Sequence, residues 1–486
     1  MNKLAGLEPE RVFYYFEQIC AIPHGSYHEK QISDFLMGFA AAHGLKAYQD
    51  TLYNVVFLVP PGKGYEDEEP LILQGHMDMV CEKREDTDLD MDRQGLRLAT
   101  DGTYVYAEDS TLGGDDGIAV AYMLAIAENP DIPHPPLECV ITVSEEVGME
   151  GARGIDLSML SGHCMINLDS EEEGIFLTSC AGGVSLLSKL PAEREASEER
   201  DWYRITVNGL TGGHSGCEIH KGRANAILVL GELIREVSSG LDVRLSGMEG
   251  GSKDNAIPVA ASAEVGILPG KHDILNAQIE QISVSFRERY GGTDPGFSVS
   301  VQKTGNRECR SVLPYEKTDR LLDLLQLLPN GIQVMSESID GLVQTSLNLG
   351  IMRLEQDHLF LQHSVRSSVA AEKEEVVSSV EKLIAAEGGI STRQGDYPAW
   401  EYREESELRP KAVALFEEMY GRKPEVMGIH AGLECGLFSG KIRELDCISM
   451  GPDILDIHTT SERMDVASVK RVYEFLLELL KRRQVF

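Results

Sequence analysis

Leu71–Val80 reads LILQGHMDMV. The run is apolar from its first residue, passes one Gln and one Gly, and ends by presenting His76 and Asp78. A short apolar run bounded by turn residues reads as a strand buried on both faces, the kind found in parallel sheets. Its chemistry-capable residues then sit just past the strand's carboxyl end, where open α/β sheets place their ligands. Asp78, two residues after His76, would either bind a metal or hold the imidazole in one tautomer.

Two further stretches repeat the pattern. LECVITVS (137–144) runs into Glu145-Glu146, and HCMINL (163–168) runs into Asp169. Between them and the opening strand, a hairpin over 95–108 leads to LGGDDG (112–117), which sets Asp115 at a glycine-rich turn entering a helix expected over 118–128. Near the end, a strand over 447–450 precedes His458 in IHTTSE. Strand, polar residue and turn thus recur at what reads as one sheet edge.

The chain has 486 residues, more than one compact core holds, so two domains are expected. A hydrophobic content of 42% with 26% charged residues is ordinary for globular protein, but the formal net charge of −34 is not. It argues against nucleic acid or an anionic membrane as partner, because phosphates would be repelled. No stretch approaches the ~18–20 apolar residues that span a bilayer, and the N-terminus lacks a signal peptide's apolar region. The nine cysteines form no C-x-x-C pair and read as reduced, buried residues of a cytoplasmic protein.

The fold expected is α/β. A mostly parallel-sheet catalytic domain with helices on both faces, residues 1–182 and 397–486, is interrupted by an α+β insert, residues 183–396. The insert's strand and helix periods run through one cycle and then repeat, which suggests two related halves, each an antiparallel sheet carrying two helices. Within the insert, Lys189–Asp201 reads as a charged spacer and 256–267 as a strand pair.

His76, Asp115, Glu145, Glu146, Asp169 and His458 are the candidate metal ligands. Two histidines with several carboxylates suit Zn²⁺, Mn²⁺ or Co²⁺, and the lack of thiolates points away from a closed structural zinc site. A pair of metals needs a bridging carboxylate, and Asp115 is placed for it by the adjoining glycines and the helix start. Glu145 and Glu146 would point to opposite faces if the strand continued, so a turn must bring both inward, one as ligand and one as general base. Other templates fail: no H-E-x-x-H is present, GHSGC at 213–217 misses G-x-S-x-G at its last position, and no P-loop occurs.

In order and spacing, GHMDMV, LGGDDG, TVSEEVGMEGA, NLDSEE, GGHSG and IHTTSE resemble the co-catalytic zinc peptidases related to aminoacylase, glutamate carboxypeptidase and carnosinase. HAGLECG, GGHSGCEIHKGRANA and SKDNAIP look most like the aminoacyl-histidine dipeptidases within that group, and the resemblance covers nearly the whole chain. It implies metal-dependent hydrolysis of dipeptides, with N-acyl amino acid hydrolysis as the alternative on the same scaffold. It implies His76, Asp115 and Asp169 on one divalent metal and Asp115, Glu146 and His458 on the other, most simply both Zn²⁺. Asp169 stands where many relatives carry Glu. Glu145 would be the general base and Asp78 the partner that orients His76. The insert would be a lid whose His214 stabilises the oxyanion with help from Asn255. Arg366 would grip the substrate's carboxylate, and Glu434 its α-amino group. His430 and His220 read as structural. Many relatives dimerise so that the lid histidine serves the partner's site; here a second lid half would stand in for the partner, so monomer and homodimer are both open.

Overall fold

The computed structural model describes residues 3–482. It divides into two units. One comprises Met1–Cys180, Tyr402–Gly428 and Leu433–Phe486, and the other Ala181–Glu401 with Ile429–Gly432. The short segment Ile429–Gly432 groups with the second unit although it lies well beyond the insert expected from sequence.

The first unit is built on an eight-stranded sheet whose spatial order is Lys46–Gln49, Val55–Val59, Leu137–Thr142, Leu71–His76, Cys164–Asn167, Asp446–Ser449, Ile175–Cys180 and Glu425–Ile429. The four central strands are parallel. The sheet turns antiparallel outside them, at Val55–Val59 on one side and Ile175–Cys180 on the other. The short connection from Gln49 to Val55 explains one edge, since a parallel pairing would need a crossover of a dozen residues or more. Leu71–His76 and Leu137–Thr142 are buried at every position, which requires cover on both sheet faces. Helices Glu10–Cys20, Gly114–Ala127 and Val466–Lys481 contribute to one apolar cluster with these strands. A separate four-stranded sheet, ordered Ile454–Leu455, Arg463–Asp465, Tyr104–Ala107 and Leu98–Thr100, brackets the loop that carries His458.

The second unit holds a nine-stranded antiparallel sheet. Arg200–Asn208, helix Ala226–Gly240, Val243–Gly250, Ala261–Ile267, helix His272–Tyr290 and Ser298–Glu308 form a β-α-β-β-α-β module. In the sheet its strands lie in the order fourth, first, third, second. Gly182–Pro191, helix Tyr315–Leu327, Val343–Leu354, His358–Ser367, helix Ala370–Ala386 and Ile390–Tyr397 form a second module with the same strand order. The first module is inserted between the first strand and first helix of the second. Their second strands meet edge to edge through Glu249–Arg353 and Gly250–Met352, and one apolar cluster runs through both.

Two sequence expectations fail here. Gly182-Gly183, at the expected boundary of the insert, opens a ten-residue strand that continues to Pro191, into the supposed charged spacer. Its alternating burial is what VSLLSKL supplies. The strand pair expected over 256–267 is split. Ala261–Ile267 pairs with the unexpected strand Val243–Gly250 across a bulge between Leu245 and Gly247, while Ala256–Ile257 pairs with Gly213–His214. The glycines in VRLSGMEG hid the period of that strand.

Among the described residues, which include all nine cysteines, none of these forms a disulfide, and Cys81, Cys217 and Cys309 are exposed rather than buried. Among the described residues no helix is long and apolar enough to cross a membrane.

Candidate active site

The carboxyl ends of the central strands bring His76, Asp115, Glu145, Glu146, Asp169 and His458 together. Asp115 faces two rings at once. Its Oδ1 lies 3.0 Å from Nε2 of His76, and its Oδ2 lies 3.1 Å from Nε2 of His458. His76 Nε2 is 3.6 Å from Asp169 Oδ1, and His458 Nε2 is 3.0 Å from Glu146 Oε1. Among the described residues two sets of ligand atoms lie within 4.8 Å of one another, His76–Asp115–Glu146 and His76–Asp116–Asp169. We favour Asp115 over Asp116 as the shared ligand. Asp116 Oδ2 already accepts the His76 backbone N–H at 3.1 Å, and a Cβ at Gly75 would lie 2.4 Å from that same oxygen. Gly75 is therefore what lets Asp116 lie under the strand end.

Asp115 is not helical despite its place in Gly114–Ala127, with φ −81° and ψ 107°. What fixes this turn is Glu462. Its carboxylate accepts the backbone N–H groups of Leu112 at 2.8 Å, Gly113 at 3.2 Å and Gly114 at 2.8 Å. Gly113 takes φ +67°, a left-handed conformation costly to other residues. Sequence reasoning missed Glu462, although its place four residues after His458 was a usable signal.

Adjacent Glu145 and Glu146 both turn inward because Ser144 adopts φ +51° and the strand ends. Asp78 then holds the turn: its carboxylate accepts the N–H groups of Glu145 at 3.0 Å and Glu146 at 3.4 Å, and the Ser26 hydroxyl at 2.8 Å. Nδ1 of His76 lies 3.0 Å from the Asp78 carbonyl oxygen and 3.4 Å from its carboxylate. Glu29, also missed, accepts the N–H of Ser144 at 3.0 Å and its hydroxyl at 2.7 Å.

Burial pushes several of these carboxyls up, Asp169 to about 6, Glu462 to about 7 and Glu434 to about 8, with Glu145 well above its usual range, whereas Asp115 is held down against its burial by hydrogen bonds from His458 and His76. Hydrogen bonds to Asp115 and Glu146 push His458 up to about 10. Burial opposes a charged His76, but Asp169 and Asp115 outweigh it and raise that group too. A buried site this rich in carboxylates and this poor in cations fits divalent metal ions, and its oxygen and imidazole donors without thiolate fit an open catalytic site.

Glu434 is not at the rim. It is fully buried, accepting hydrogen bonds from Gln74 and from Thr142 at 2.6 Å, with Oε1 unpaired. Gln74 and Thr142 stand on the two central strands that end in His76 and Glu145.

In the second unit, the pairing of Gly213–His214 with Ala256–Ile257 sets His214 beside Asn255, whose carbonyl accepts the Ser215 N–H at 2.8 Å. The Asn255 side chain is exposed. His214 Nδ1 accepts the N–H groups of Gly216 at 3.2 Å and Cys217 at 3.1 Å. Those two donors leave the ring proton of neutral His214 on Nε2, free to be donated. Burial and the Arg366 charge lower its pKa, which keeps it neutral. Arg366 donates from Nη1 to the Tyr397 hydroxyl at 3.2 Å, and its Nε is buried and unpaired. His430, left out by sequence reasoning, is close by: a Cβ on Gly216 would lie 2.5 Å from the His430 carbonyl, 3.0 Å from His214 Cε1 and 3.1 Å from Arg366 Nε. Its Nε2 is 2.7 Å from the Ser346 hydroxyl.

Residues 205–294 match the sequence profile of a peptidase dimerisation domain. Over 482 residues, 99% of each chain, the sequence is 34% identical to the cytosol non-specific dipeptidase of Escherichia coli (strain K12). The structure aligns with the crystal structure of aminoacylhistidine dipeptidase from Vibrio alginolyticus at a TM-score of 0.92 and 32% identity, covering 98% of this chain and 97% of that one. Aminopeptidase PepT from Bacillus cereus shares the fold at a TM-score of 0.56 and 15% identity, with 98% of each chain covered.

Proposed function

Since the chain belongs to the M20 family of metallopeptidases, where it groups with the cytosol non-specific dipeptidases, we propose that it hydrolyses dipeptides with Glu145 as general base. The observation that carries this reading is Asp115, whose two oxygens face His76 and His458 separately, as a carboxylate shared by two cations would. His76, Asp115 and Asp169 would hold one cation, and Asp115, Glu146 and His458 the other. Two divalent ions bound there supply Lewis-acid polarisation of the scissile carbonyl and make the attacking water more acidic.

The chain's own residues do the rest. Glu145 takes the proton the water loses as its oxygen bonds to the carbonyl carbon, and gives it to the amide nitrogen as the C–N bond breaks. Asp78 fixes the Glu145 backbone and the ring of His76 together. His214 offers its Nε2–H to the carbonyl oxygen, with Asn255 assisting. Arg366 takes the substrate's carboxylate, and its unpaired Nε supports that assignment. Glu434 is not given the amino group, because its full burial between Gln74 and Thr142 suits a support for the central strands.

Zn²⁺ is the ion we favour, and the cytoplasm the compartment, where nine cysteines persist without disulfides. We keep the homodimer as the assembly to test, on the dimerisation-domain match. The dimerisation-domain match covers one module of the second unit, and the inner edge of that module is already paired with the second module. The test is direct: metal content per chain, sedimentation, and a panel of free dipeptides against N-acyl amino acids with and without chelator. Cleavage of acyl substrates alone would favour the amidohydrolase alternative.

A further inference from the structure

The double glycine Gly182-Gly183 takes no part in the metal cluster, yet both members are pressed by one neighbour. A Cβ on Gly182 would lie 2.7 Å from the Tyr397 carbonyl oxygen, and a Cβ on Gly183 would lie 2.5 Å from the Tyr397 hydroxyl. In the sheet of the second unit, Gly183 is the register partner of Arg366 on one side and of Tyr397 on the other. With no side chain at 183, the tyrosine ring crosses that strand. Its hydroxyl then accepts a hydrogen bond from Nη1 of Arg366 at 3.2 Å.

The backbone holds Tyr397 in this place. A register shift between Gln394 and Tyr397, of the kind that re-aims a side chain, brings the tyrosine level with Gly183. Lys373, buried on the helix Ala370–Ala386, donates from Nζ to the Tyr397 carbonyl at 2.9 Å and to the Asp396 carboxylate at 2.6 Å. On the far side of Arg366 its register partner is Ser346, whose hydroxyl is 2.7 Å from Nε2 of His430. Ser346, Arg366, Gly183 and Tyr397 thus form one row across four neighbouring strands.

An arginine left loose must be ordered when an anion arrives, and that ordering costs affinity. Held at Nη1 by Tyr397, the guanidinium keeps its opposite edge, Nε with Nη2, for a carboxylate. Nε is the buried donor that has no partner among the described residues. It also lies beside the lid histidine: a Cβ on Gly216 would be 3.0 Å from His214 Cε1 and 3.1 Å from Arg366 Nε.

We propose that Tyr397 is a positioning residue for substrate binding: seated in the slot left by Gly183, it pre-orders Arg366 so that the Nε edge receives the dipeptide's C-terminal carboxylate. The inference rests on the assignment of Arg366 to that carboxylate and deepens it.

The test measures, on metal-loaded enzyme, KM and kcat for a free dipeptide and the Ki of the same dipeptide amidated at its C-terminus, which presents no carboxylate. Tyr397→Phe removes only the hydroxyl. It should raise KM roughly 3–10-fold, the worth of one hydrogen bond, with the loss falling on KM rather than kcat. Metal content and the Ki of the amide should stay near wild type. Gly183→Ala keeps the hydroxyl but fills its slot, and should show the same pattern. Tyr397→Phe alone decides if Gly183→Ala does not fold. An unchanged KM in Tyr397→Phe, or a rise shared equally by the Ki of the amide, would overturn the proposal. Wild-type enzyme that binds acid and amide equally well would instead remove Arg366 from the carboxylate, a failure of the underlying assignment seen before any variant is compared.

Discussion

Oδ2 of Asp115 lies 3.1 Å from Nε2 of His458, a residue 343 positions later in the chain. The contact closes a site whose other groups were in place by residue 169. It makes the candidate second metal dependent on the last strand pair of the first unit, so His458→Ala is expected to lower metal content from two ions per chain towards one. Elemental analysis of purified protein checks this. Two ions retained would remove His458 from the ligand set.

Glu145 and Glu146 are neighbours with different proposed tasks, so conservative variants should separate them. Glu145→Gln is expected to keep both ions and lose about 10²–10⁴-fold in kcat, the usual worth of a general base. Glu146→Gln should lose metal as well as turnover. Paired metal analysis and steady-state kinetics decide, and metal loss from Glu145→Gln would reverse the assignment.

Glu462 touches no candidate ligand, yet three backbone N–H groups before Asp115 depend on it. Groups that hold ligands in place are commonly worth about 10–100-fold in metal affinity. Glu462→Gln should fall in that range, because an amide presents an N–H face to donors. Metal titration followed by calorimetry measures it, and affinity equal to wild type would show that the loop holds Asp115 unaided.

His363 is expected to make the second unit acid-sensitive. It is fully buried on the strand His358–Ser367, neither ring nitrogen has a partner among the described residues, and burial lowers its pKa to about 4. The unfolded chain, with a histidine pKa near 6.5, then binds more protons than the folded one between pH 6.5 and 4. Stability is therefore fully kept above pH 6.5, falls as pH drops through that window, and is lower by about 3 kcal/mol below pH 4. His363→Leu should flatten this dependence, as read by denaturant melts at pH 5 and pH 8. An equal slope in both proteins would place the acid sensitivity elsewhere.

Much of the site is legible in sequence because each central strand is a continuous apolar run that ends on its functional residue. LILQGH, LECVIT and HCMINL need burial on both faces, and this fixes both the strands and the edge at which His76, Glu145 and Asp169 emerge. The C-terminal helix Val466–Lys481 is legible for the same reason, an uninterrupted period. Val243–Gly250 was hidden because its glycines break the alternation. Gly182–Pro191 was hidden because the strand it pairs with, His358–Ser367, comes only after an inserted copy of the same motif.

For LILQGHMDMV itself, local sequence determined a buried strand with a histidine at its end, since burying that run is the dominant local driving force. What only the tertiary structure decided is how the neighbouring polar groups are divided. Asp78 stabilises the Glu145 turn as well as the His76 ring, Glu462 holds the Asp115 loop, and Glu434 is buried as a support. A carboxylate carries no label in sequence. Which backbone N–H groups reach it is set by contacts between distant segments, and those contacts decide whether it supports the fold or is left to meet a ligand.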